Sequence, residues 1–232
     1  MRSEELLKKE RLRHGWGQTE VAGRLGVSQA YVNMLESGKR RLTPELTRKL
    51  VLVYELSPVE LPVSEAFRPP QVGAQWLAES LAKLGYPGFA YLRSHVTNKN
   101  PAEVLLTALA QGSLEPRLAE ALPWLLLKYW EMDFDWLAEQ ARRHNLQNRL
   151  GYVAWLARQL SEQSAASNEQ RNRALAGLDA ALDRSRLANE DAFPRPPKNS
   201  AEREWLTQNQ TQEAGHWNLL TDLRPEHLQY AE

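Results

Sequence analysis

The chain has no cysteine. That excludes disulfides, thiol catalysis and cysteine-ligated zinc, and it agrees with a reducing cytosol. Long hydrophobic runs are missing too. The most apolar stretch, Ala121 to Trp130, is too short to span a bilayer and contains Pro123 and Lys128. It reads as a buried core helix that Pro123 should bend or divide. The first residues, MRSEELLKKERLR, hold no apolar run of signal-peptide length. A cytoplasmic protein that makes no membrane contact is expected. His14, His95, His144, His216 and His227 lie far apart, and none falls in an HExxH pattern. There is no Walker loop, GxGxxG or GxSxG. Asp133 and Asp135 are neighbours, but at a helix start, where they suit the helix dipole and capping. No catalytic residue, metal or cofactor is therefore expected, and the chain does not read as an enzyme.

An excess of one charge is also lacking: 29 Lys/Arg face 29 Asp/Glu. The distribution is uneven, however. Residues 1–49 carry 11 basic and 6 acidic residues, a net of +5, and the remainder carries a net of −5. A basic head on an acidic body is a pattern of nucleic-acid binders. The 232 residues leave room for that head and a second domain.

Ser3 is expected to cap a first helix to about His14, with Leu6, Leu7 and Leu12 on one face. Gly15, Trp16 and Gly17 break it. Residues 18–37, QTEVAGRLGVSQAYVNMLES, then describe two short helices around a tight turn. Val21, Leu25, Val27, Val32 and Leu35 supply the apolar spacing. Ala22 is small where the helices approach, and Gly26 sits where the turn needs φ > 0. This is the pattern of a helix-turn-helix, which lays its second helix in the DNA major groove. Thr43-Pro44 starts a fourth helix with Leu46, Leu50 and Val53 inside. Ser57 to Glu60 reads as a capping box for a fifth.

These residues resemble the lambda-repressor-like family, also called XRE or Cro-type, over about residues 3–63. The resemblance rests on Gln18, Ala22, Gly26 and the terminal Leu-Glu-x-Gly-Lys of Leu35 to Lys39. In a helix entering the major groove, the first turns reach base edges, which here are Ser28, Gln29, Ala30, Asn33 and Met34. Gln29 can pair bidentately with adenine, and Ala30 can touch a thymine methyl. The resemblance implies that Gln18 hydrogen-bonds a phosphate and braces Gln29. Lys39, Arg40 and Arg41 are expected on backbone phosphates, and Tyr31 either on a phosphate or in the packing. Glu36 is expected to brace the bundle through an arginine or the backbone. The family often places glutamine or arginine where Ala30 and Met34 stand. Specificity therefore falls more on Gln29, Asn33, Tyr31 and DNA shape. Trp16 and Gly17 before the motif are also unusual.

Pro69-Pro70 marks a linker over 66–73. Helical patterns continue over 74–190, with Asn100-Pro101 a strong helix start. The segment 86–96 offers a weak case for a short strand. Trp76, Trp124, Trp130, Trp136 and Trp155 load this region with aromatics that read as core. Residues 137–153 are faintly similar to a stretch of AbiEi-type antitoxins, autorepressors that neutralise a nucleotidyltransferase toxin. The plainer reading is that Asn148 and Arg149 cap and pair inside a bundle. Residues 191–232 read as a polar tail, docking or loosely ordered, with Trp205, Trp217 and Leu219-Leu220 as isolated anchors.

The expected architecture is thus all-α: a five-helix DNA-binding domain over 1–65, a linker, a larger helical domain over 74–190 for dimerisation, an effector or a partner, and the tail. The expected function is a sequence-specific transcriptional regulator, a repressor of its own operon binding double-stranded operator DNA as a homodimer. The alternatives are an antitoxin with a toxin partner on its helical body, or a regulator sensing a small molecule.

Overall fold

The computed structural model describes residues 3–64, 66–93, 96, 99–163 and 168–228, with only the helical backbone described for residues 3–6. Helix accounts for 61% of the structure, in twelve α-helices among the described residues. The chain divides into two compact units, Met1–Ser64 and Glu65–Glu232.

Unit 1 contains α1 (Ser3–Arg13), α2 (Gln18–Leu25), α3 (Gln29–Glu36) and α4 (Pro44–Val53). The expected fifth helix is a single 3-10 turn, Pro58–Glu60. Ser57 makes no side-chain capping bond to it, so the expected capping box is not formed. Leu7, Val21, Ala22, Leu25, Val32, Leu35, Leu46, Leu50 and Tyr54 form the core. Leu12 departs from the expected α1 face and is 60% exposed. Five residues beyond Leu7, it has turned well away from the buried stripe. The side chains of Ser3 and Leu6 lie outside the described residues. Thr43 caps α4, accepting from Leu46 N at 3.2 Å.

The unusual Trp16 has a structural task. Its ring stacks on Tyr54 with centroids 5.2 Å apart, and the Arg24 guanidinium lies over it at 4.0 Å. Tyr54 is fully buried and its hydroxyl has no partner among the described residues. Burial pushes the phenol up to about 12. A raised phenol favours folding below its unfolded value near 10, and that contribution disappears as pH rises through 12. Unit 1 is expected to lose up to about 2 kcal/mol between these limits. Tyr54→Phe should flatten this alkaline loss. It should leave neutral-pH stability unchanged or raised by about 1 kcal/mol, because an unsatisfied hydroxyl is removed. Unfolding curves from pH 8 to 12 check both statements.

Unit 2 begins with α5 (Ala74–Lys83) and a 3-10 turn, Pro87–Phe89. No strand forms among the described residues of 86–96, where one had been considered; Ser94 and His95 lie outside them. Instead Tyr86 is buried against Trp124, ring centroids 5.2 Å apart. Next come α6 (Pro101–Leu109), α7 (Pro116–Lys128), α8 (Phe134–Arg143), α9 (Gln147–Gln163) and α10 (Glu169–Asp183). Asn100 caps α6 and Asp133 caps α8, accepting from Ala102 N and Trp136 N at 2.9 Å each. Pro123 does not divide α7, which runs through it. The helix forgoes one backbone hydrogen bond there while burying almost its whole second half.

The polar segment after residue 190 is folded onto this bundle. It carries β1 (Asp191–Ala192), α11 (Ser200–Gln208), α12 (Gln212–His216) and β2 (Leu219–Leu220), with β1 and β2 paired in parallel. Phe193, Trp217, Leu219 and Leu220 are buried, whereas Trp205 is 52% exposed. Helix α9 supplies the anchorage. Arg149 donates to Asp191 at 2.6 and 2.8 Å and to the Leu109 and Gln111 carbonyls at 2.8 and 2.9 Å. Asn148 exchanges two 2.9 Å hydrogen bonds with the Leu187 backbone. Tyr152 donates to the Leu223 carbonyl at 2.6 Å. Gly151 leaves the notch that the Trp217 ring fills.

Candidate nucleic-acid interface

Three local signals shape the motif. Helix α2 ends at Gly26, which is left-handed at φ 72° and ψ 36°, a conformation that costs glycine little. Val27 N returns to the Ala22 carbonyl at 2.9 Å and tightens the turn. Ser28 then ends the turn and caps α3, accepting from Tyr31 N at 3.2 Å. Ser28 is therefore the N-cap of the reading helix rather than its first residue. Val32 and Leu35 fix the inner face of α3 in the core.

The opposite face carries the expected base-reading residues. Gln29, Ala30 and Asn33 are exposed and Met34 is half-buried. Gln29 and Asn33 are one helical turn apart, so their side chains share a face. Tyr31 is half-buried and packs against the core of the unit. Lys39, Arg40 and Arg41 follow, all exposed and without an ion pair among the described residues. Arg40 N donates to the Met34 carbonyl at 3.1 Å, which folds the basic run back onto the end of α3.

A relay of four side chains holds Gln29. Arg11 donates to both oxygens of Glu36, at 2.6 and 3.1 Å. Glu36 also accepts from Gln18 Nε2 at 2.9 Å. Gln18 Oε1 in turn accepts from Gln29 Nε2 at 3.0 Å. An ionised carboxylate only accepts, so Gln18 must present its amide nitrogen to Glu36 and its oxygen to Gln29. The direction of each amide in the relay is thereby fixed. Gln29 retains Oε1 and one N–H, the acceptor and donor that adenine requires in the major groove.

The ion pair is largely shielded, with side chains 12% and 6% exposed. Burial pushes the Glu36 carboxyl up, but the hydrogen bonds from Arg11 and Gln18 prevail and hold it below the usual carboxylate range. The same contact raises Arg11. Helix α2 adds an anion-facing end. Gly17 provides no side-chain cap, leaving the amides of the first turn uncapped beside Gln18.

Arg11 is the member of this relay that the sequence does not reveal. It lies 25 residues from Glu36, and no periodicity connects them. The expectation that Glu36 braces the bundle through an arginine is met by that contact.

Two short helices crossing at a left-handed glycine, with one polar face and unpaired cations beside it, define a helix-turn-helix DNA-binding module. Residues 7–61 match a protein-family model described as Helix-turn-helix, of the lambda-repressor-like type, which points to a DNA-binding transcription regulator. No curated protein and no solved structure matches the chain. Among the described residues no helix is long and apolar enough to cross a membrane, and no group of three or more His, Cys, Asp or Glu could hold a metal ion.

Proposed function

We propose that the chain is a sequence-specific repressor of its own operon, binding a pseudo-palindromic operator as a homodimer. The observation that carries the reading is Gln29, exposed at the start of α3 and held by Gln18 with one donor and one acceptor to spare. Asn33 and Ala30 complete the base-facing surface. Lys39, Arg40, Arg41 and the uncapped start of α2 beside Gln18 supply phosphate contacts. Two copies would read half-sites about one helical turn apart.

The test is a gel shift or fluorescence titration on the chain's own promoter, with a scrambled duplex as control. Gln29→Ala is expected to cost about 1–3 kcal/mol on the operator and little on the scrambled duplex. Arg40→Ala should weaken both complexes and reduce the salt slope by about one unit. Equal loss on both duplexes for Gln29→Ala would remove the base-reading role.

A further inference from the structure

Unit 2 contains a small cavity that the DNA reading does not use. Its volume is about 210 Å³. It forms where the segment after residue 190 closes on α7, and Leu114 N anchors the closure on the Pro194 carbonyl at 2.9 Å. Phe193, Leu206, Leu220 and Leu223 line it and are all buried. The floor is therefore apolar, as in most small-molecule sites.

The polar lining is unbalanced. Glu120, Glu202 and Asp222 bring three carboxylates, against the single guanidinium of Arg195. Arg195 is committed to Glu202, with Nη2 on Oε1 at 2.6 Å. Glu202 is further occupied by the Lys198 backbone N–H. Glu120 and Asp222 have no hydrogen-bond or ion-pair partner among the described residues. His227 also sits in the lining. Thr221, 5% exposed, accepts from Leu223 N at 3.1 Å and keeps a second lone pair. The cavity thus offers the half-buried Glu120, the exposed Asp222 at its edge and one hydroxyl oxygen as acceptors beside an apolar lining. A primary ammonium brings three donors and a positive charge.

We propose that this cavity binds a small primary ammonium ion carrying a short apolar body. The apolar body occupies the space above Phe193 and Leu206, and the ammonium meets Glu120, Asp222 and Thr221. The small volume excludes large ligands. The surplus negative charge opposes carboxylates and phosphates. This inference is independent of the DNA reading.

The test uses the full chain and three matched probes: cyclohexylamine, cyclohexanol and cyclohexanecarboxylate. Binding is read by calorimetry and by the chemical shifts of the Thr221 and Leu223 amides. The amine is expected to bind at least tenfold more tightly than the alcohol, and the carboxylate not to bind. Glu120→Gln and Asp222→Asn keep the shape, and each should weaken the amine about tenfold or more while leaving the alcohol unchanged, as loss of a charge-assisted hydrogen bond does. Should either variant unfold, Thr221→Ser and Thr221→Val serve in its place, with binding retained in the first and reduced in the second. Equal affinity for amine and alcohol, a preference for the carboxylate, or amine affinity unmoved by both charge-neutralising changes would overturn the proposal.

Discussion

Trp217→Ala is expected to cost unit 2 about 3–5 kcal/mol, the range for emptying a fully buried aromatic site. The ring is 0% exposed, and its Nε1 donates to Glu213 at 2.9 Å. It occupies the space above Gly151 so closely that a Cβ built there would lie 2.3 Å from its Cη2. Gly151→Ala should accordingly destabilise unit 2 as well, by about 1–3 kcal/mol, because one rigid wall must move. Combining the two changes should cost less than their separate effects added, since the new methyl enters the space the ring leaves. Denaturant unfolding of the two single variants and the double variant measures the coupling. Strict additivity would show that Trp217 and Gly151 do not meet.

Glu36→Ala is expected to damage both stability and reading. Removing the carboxylate leaves Arg11 shielded and unpaired, which costs about 3–5 kcal/mol for a fully buried pair and somewhat less at this degree of exposure. The Gln18 amide also loses the acceptor that orients it, so Gln29 is no longer held in one sense. Glu36→Gln separates the two effects. It keeps the volume and can still accept from Arg11, so folding should suffer less. Its amide can face either way, and discrimination for the operator over a scrambled duplex should fall. The carboxyl is held below its ordinary range, so its contribution is full above the unfolded value and is lost as pH falls through the folded one. Wild-type unit 1 should weaken in acid, and Glu36→Gln should show a shallower loss. An unchanged acid profile in that variant would separate Glu36 from acid stability.

These two sites show what a sequence exposes and what it conceals. The helix-turn-helix was legible because its signals are local. Apolar spacing, Gly26 and the capping Ser28 all lie within one short segment and agree with each other. The exposed position of Gln29 followed from its place at the start of α3. Arg11 did not, because a helix surface offers many arginines and only the folded chain selects one for Glu36. The segment after residue 190 was read as a tail for a related reason. Its apolar residues are too sparse to show a period, and Trp217 acquires its meaning only from a glycine 66 positions earlier. Pro123 was read by its local effect on α7, and burial of the surrounding leucines outweighed it. The 3-10 turn at Pro58–Glu60 marks the opposite case, where a capping pattern was present but Pro62 follows too soon for a full helix.

The hydrogen bond from Arg40 N to the Met34 carbonyl has a mechanical consequence. It ties the basic run to the end of α3 at Arg40. On the proposed docking, base edges and phosphates would then be held from one connected surface, with less freedom to adjust their spacing. A duplex whose groove width does not suit that spacing must itself deform before both sets of contacts form. On that docking, stiffness of the DNA between contacted bases would enter the choice of site, even at positions that no side chain touches.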